Sequence, residues 1–240
     1  MDIDSQAAVY VHEPEVHNLA APSKVVPILV ELLQPKSVLD VGCGIGTWLK
    51  CFADAGIDDH LGLDGDHVDR ALLASHLAPE RFRTFDLTQP FDLGRSFDLV
   101  LSLEVAEHLP AASASGFVGS LTAHGDTVVF SAALPGQGGQ NHVNEQWKHY
   151  WIKLFAARGF ALHDILRPRI WGMQGVDWWY QQNMLVFSRQ DLSSLMPRGS
   201  AMLDVIHPEL FIQNQDYIVY LQEQLAEAER RLHDAGTPAD

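Results

Sequence analysis

Cysteine is scarce in this chain, cations are outnumbered, and no stretch stays apolar for long. Two cysteines, Cys43 and Cys51, stand in 240 residues. They cannot build a disulfide framework, and both read as reduced thiols of a cytoplasmic protein. Lys and Arg number 16 against 31 Asp and Glu, a formal charge of −15. Nucleic acid and anionic membrane surfaces are held by clustered cations, so neither partner is expected. No apolar run approaches the ~20 residues of a membrane span. The opening MDIDSQAAVYVHEPEVHN has no basic region followed by an apolar one, so no signal peptide is expected.

A hydrophobic content of 47% is ample for a buried core. The apolar pattern alternates between strands and helices. SVLDVG (37–42), DHLGLD (59–64), RFRTFDL (81–87), SFDLVLSLE (96–104) and DTVVFSAAL (126–134) read as strands. Helices are expected at 46–56, 67–77, 111–125 and 145–160, and a leading helix over 14–34 is expected to break or bend near Pro22 and Pro27. ALHDILR (161–167) and NMLVFSR (183–189) complete the strands, separated by an irregular aromatic loop and so able to pair antiparallel. Strand–helix alternation argues for a mostly parallel sheet with helices on both faces. One domain over 1–200 with an N-terminal helical cap is expected, then a connector and amphipathic helix over 201–240. In that helix Ile218, Leu221, Leu225, Ala228 and Leu232 follow steps of three and four, a seam of about two heptads through which a homodimer is one expectation.

Two clusters carry chemistry. VLDVGCGIG sets Asp40, Gly42, Gly44 and Gly46 at the carboxyl end of the first strand, where open α/β sheets bind ligands. Its spacing is G-x-G-x-G, not the dinucleotide G-x-G-x-x-G. Asp64 ends the second strand and suits two ribose hydroxyls. Cys43 reads as a small packed side chain with no partner base. The second cluster is SLEVAEHLP (102–110), with Glu104, Glu107 and His108 after an apolar run. A helical turn starting at Glu104 would relate them as i, i+3 and i+4 on one face. His142 follows on a loop at the same sheet edge.

These motifs, in this order over about residues 35–190, resemble those of class I S-adenosylmethionine-dependent methyltransferases. The resemblance implies an α/β, Rossmann-like, doubly wound seven-stranded sheet, mostly parallel with an antiparallel last strand. It implies S-adenosylmethionine as cofactor, held by Asp40, Gly42, Gly44, Gly46, Asp64, Asp86 at the adenine amine, Leu87, Leu103 and Glu104. The Glu-x-x-Glu-His pattern with a later His is similar to that of metal-dependent small-RNA terminal 2′-O-methyltransferases and ubiquinone-pathway O-methyltransferases. In those terms Glu104, Glu107, His108 and His142 would hold a divalent cation, one of Mg, Mn, Fe, Co or Zn.

Three readings of that cluster stand side by side: metal ligation, metal-free catalysis with His142 or His108 as general base beside Glu107, and a structural helix start. Five of the six tryptophans fall at 147–179, and RIWGMQGVDWWYQQN (169–183) is an aromatic insertion suited to stacking on a sugar or an aromatic ligand, or to plugging the core. PGQGGQ (135–140) is a lid or a flexible connection. HVNEQWKHYWIKLFAARGF and WWYQQNMLVF resemble bacterial methyltransferases of glycan and natural-product pathways. The expectation is an O-methyltransferase of a small polyhydroxylated acceptor. The alternatives are an N- or C-methyltransferase of natural-product biosynthesis and a non-catalytic cofactor-binding assembly subunit.

Overall fold

The computed structural model describes residues 10–11, 16–196 and 205–236. The chain forms two compact units, Met1–Val205 and Ile206–Asp240. The expected boundary at 200/201, connector residues 201–204, helix residues 14–15 and tail residues 237–240 lie outside the described residues.

The first unit is built on seven strands: β1 (Ser37–Val41), β2 (Asp59–Asp64), β3 (Phe82–Thr84), β4 (Leu99–Leu103), β5 (Thr127–Ser131), β6 (Ala161–His163) and β7 (Leu185–Ser188). Their order is β3-β2-β1-β4-β5-β7-β6. β1 to β5 are parallel, and β7 inserts antiparallel between β5 and β6. This is the expected Rossmann-like sheet. Every residue of β4 and β5 is buried, as strands covered on both faces must be. The pleat divides β1, β4, β5 and β7 between two cores. Along β4, Leu99, Leu101 and Leu103 join the core holding Val25 and Leu29 of helix α1 (Ala20–Leu33) and Leu49 and Phe52 of helix α2 (Thr47–Asp54). Val100 faces the other core, with Phe117 and Leu121 of helix α4 (Ala114–Ala123) and Phe155 of helix α5 (Lys148–Ala156). Phe155 stacks on Phe187 at a 4.0 Å centroid distance.

Several boundaries differ from the sequence expectation. α1 is continuous through both prolines: Pro22 falls in its first turn, where a missing N–H costs nothing, and Pro27 lies inside. The third strand stops at Thr84, because Asp86 turns the chain by accepting the Thr88 N–H and hydroxyl at 3.0 and 2.7 Å. Helix α3 (Arg70–Ala74) is short and starts at Asp69, whose carboxylate caps Ala71 and Leu72. The aromatic insertion is not an irregular loop. It carries helices α6 (Arg167–Ile170) and α7 (Trp178–Asn183). The second unit holds helix α8, which begins at Pro208 and runs to Gly236, longer than its heptad seam.

Candidate active site

The parallel strands β1, β2, β4 and β5 deliver their carboxyl ends to one edge of the sheet, and the chemistry gathers there. After β1 the chain turns through Gly42, Gly44 and Gly46 at φ of 84°, 52° and 83°. Glycine is required at Gly42 twice over: its φ is left-handed, and a Cβ would stand 2.2 Å from Val105 Cγ2. The Gly44 N–H donates to Asp64 Oδ2 at 2.7 Å and the Gly65 N–H to Oδ1 at 2.6 Å. The buried Asp64 carboxylate is therefore fixed at the loop with lone pairs to spare. His67 Nε2 lies 3.7 Å from Asp64 Oδ1. Asp40, 2% exposed, has an Oδ2 with no hydrogen-bond partner. Burial and then the Asp64 charge push its carboxyl up to about 8. Leu87 and Leu103 are buried apolar walls, and Asp86 is exposed.

Beyond β4 the backbone does not enter a helix at Glu104. That residue sits at φ 54°, in the left-handed region, and the 3₁₀ turn spans Ala106–His108. The four expected ligands consequently divide. Ligand atoms of Glu107, His108 and His142 lie within 4.8 Å of one another. Glu104 is outside that group and turns to an amide cradle: Gln137 Nε2 donates to its Oε2 at 2.8 Å, and Asn183 Nδ2 to both oxygens at 3.2 and 3.3 Å. Asn183 Nδ2 also donates to Gln137 Oε1 at 2.8 Å, and Lys148 Nζ donates to Asn183 Oδ1 at 3.3 Å. Burial first raises the Glu104 carboxyl, opposed by these bonds.

The three-residue cluster shows the marks of a ligand set. Glu107 is fully buried; its Oε1 accepts the Ala133 N–H at 3.1 Å and its Oε2 has no hydrogen-bond partner. Burial, then the Glu104 charge, raise its carboxyl well above the usual range. His108 Nδ1 is buried and unpartnered as well. Burial, then His142, lower its imidazole to about 4, so that ring is neutral near pH 7. His142 Nδ1 meets Glu145 Oε1 at 2.8 Å, which leaves Nε2 as the second ring nitrogen. Glu145 is itself held by the N–H groups of Gly136 and Gly138 at 2.7 and 2.8 Å. Orphaned oxygen, orphaned nitrogen and a carboxylate-oriented imidazole together fit a divalent cation of the Mn, Fe, Co or Zn type.

Sequence reasoning missed Gln137, Asn183 and the neighbouring buried Gln182. The signal for Gln182 and Asn183 was three amides, QQN, at the end of an otherwise aromatic segment that buries them; Gln137 had none of its own. It also missed Tyr10, whose ring meets His108 edge-on at 4.9 Å. Trp48 packs against Tyr180 of α7 at 5.3 Å, joining α2, the helix after the glycine loop, to the aromatic insertion.

Comparison with known proteins gives a consistent family. Residues 16–198 match the family described as a methyltransferase domain. No curated protein sequence matches. Among solved structures, DesVI of Streptomyces venezuelae is 16% identical with a TM-score of 0.53, over 72% of this chain and 92% of its own. The sugar N-methyltransferase KedS8 from Streptoalloteichus sp ATCC 53650 is 17% identical with a TM-score of 0.53, over 80% and 99%. The methyltransferase domain of bacterial CtHen1-C is 20% identical with a TM-score of 0.50, over 71% and 98%. At such identities the likeness is one of fold.

Proposed function

From the premise that this chain belongs to the methyltransferase domain family, as a class I S-adenosylmethionine-dependent methyltransferase, we propose that it methylates a hydroxyl of a small polyhydroxylated acceptor with the help of a divalent cation. The observation that carries this reading is the cluster of Glu107, His108 and His142, with its unpartnered Oε2 and Nδ1 atoms. It begins two residues beyond Val105, the side chain that closes on Gly42. When bound, the cation would polarise an aliphatic hydroxyl and fix its direction. The chain's own residues do the rest. Asp64 takes the ribose hydroxyls and the glycine loop admits the cofactor's methionine end. Glu145 holds the His142 ring in orientation. The acceptor oxygen displaces sulfur at the methyl carbon: a C–O bond forms, the C–S electron pair returns to sulfur, and the hydroxyl proton passes to solvent water. In-line alignment supplies much of the rate. The exposed Trp147 and Trp171 offer faces for a sugar ring, and a −15 chain disfavours RNA as acceptor.

A metal-free version has one observation in its favour: His108 Nδ1, buried and without a hydrogen-bond partner beside Glu107 and His142, is placed to accept the hydroxyl proton. One experiment separates the two. Purified protein is assayed for bound metal, then for adenosylhomocysteine release against vicinal-diol sugars and matched amines, before and after EDTA. The expected outcome is activity on a diol that falls at least tenfold in EDTA and returns with Mn²⁺ or Co²⁺. Undiminished turnover by metal-free protein sinks the cation.

A further inference from the structure

We propose that Tyr10 is a positioning residue for this centre: its ring wedges the His108 imidazole against His142, and its backbone neighbour ties that wedge to the loop that carries His142. The inference rests on reading His108 and His142 as metal ligands. His108 lies between two rings, with Tyr10 at 4.9 Å and 71° on one side and His142 at 4.8 Å and 77° on the other. Both contacts are edge-to-face, a geometry that fixes the plane of the middle ring as well as its place. Tyr10 is itself fixed. Its Oη is 3.1 Å from His17 Nε2, just ahead of α1. Its ring approaches His67, the neighbour of Asp64, at 6.3 Å. The Val11 N–H donates to Gln140 Oε1 at 2.6 Å, and Gln140 belongs to the loop between β5 and His142. The segment at Tyr10 and Val11 thus touches the ribose-binding acid's neighbour, one ligand, and the loop that carries the other. A ligand imidazole needs its ring plane set by its surroundings; the backbone at Gln140 and Asn141 bonds the His108 ring, Nδ1 has no hydrogen bond, and the two flanking rings complete the support.

The test uses Tyr10→Ala and Tyr10→Phe in the full chain, with thermal melts to establish folding. Co²⁺ alone is the probe, followed by its d–d absorption. In parallel, the imidazole signals of His142 are followed by NMR without metal. Tyr10→Ala is expected to weaken Co²⁺ binding about tenfold and alter the spectrum. Tyr10→Phe, which keeps the ring, is expected to match the wild-type spectrum. The His142 signals are expected to move in Tyr10→Ala, since a loosened His108 releases its neighbour. Unchanged Co²⁺ affinity in Tyr10→Ala overturns the proposal, as does movement of the His108 signals alone. If wild-type protein takes up no Co²⁺, the metal reading falls. The His142 signals then decide on Tyr10: moved, it positions the pair; unmoved, it does not.

Discussion

At Gly42 the chain leaves β1 and enters the glycine loop. A methyl group there would have to occupy space held by Val105 at 2.2 Å, on a backbone at φ 84°. Val105 is a short, stiff side chain, so it cannot swing clear. Gly42→Ala is expected to cost on the order of 3 kcal/mol, from left-handed strain plus overpacking. A thermal melt and a titration with adenosylhomocysteine check this: both melting temperature and affinity should fall, and an unperturbed titration would contradict the assigned role of the loop. Positive-φ glycines are legible in a sequence because only glycine takes that conformation without strain. Glu104 was not legible for the converse reason. A glutamate in the left-handed region is uncommon, and it broke the i, i+3, i+4 expectation by removing one carboxylate from the turn that carries Glu107 and His108.

Among the elements, α7 does most to shape the polar floor of the site. Asn183 is 2% exposed and donates to Glu104 and Gln137 while accepting from Lys148 and Gln182. Asn183→Ala would leave a buried carboxylate short of a donor, at a cost of about 2 kcal/mol. Urea unfolding measures it, and a change below a few tenths of a kcal/mol would mean the cradle is redundant. Neither α6 nor α7 could be read from periodicity, since four and six residues are too few for a 3.6-residue repeat to register. The strands were legible as apolar runs, but their ends were not. Phe97 and Ala132–Leu134 are as buried as β4 and β5 themselves without belonging to the ladder. Apolarity reports burial, whereas a strand boundary is set by backbone pairing. The Glu104 cradle was hidden for a related reason: Gln137 and Asn183 are far apart in the chain and meet because β5 and β7 are neighbours.

For the molecule as a whole, the acidity of the chain and the proposed cofactor site meet at one carboxyl. Asp40, next to last in β1, and Asp64, last in β2, lie on adjacent strands of a −15 chain, and burial followed by the Asp64 charge pushes the Asp40 carboxyl up to about 8. The cofactor-free fold therefore binds a proton there that the unfolded chain, near 3.8, releases. The associated stability is full below the unfolded value and is lost as pH rises through that window toward about 8. Asp40→Asn has no such proton. The difference in unfolding free energy between variant and wild type should grow in the variant's favour by up to about 1.4 kcal/mol per pH unit across the window, then level off. A cationic ligand reverses the balance, because a sulfonium and an ammonium favour the ionised carboxylate. S-adenosylmethionine binding near neutral pH is thus expected to release a proton from wild-type protein and not from Asp40→Asn. Calorimetry in two buffers of different ionisation enthalpy reads that proton directly, and equal heats in both buffers would show that binding does not ionise Asp40.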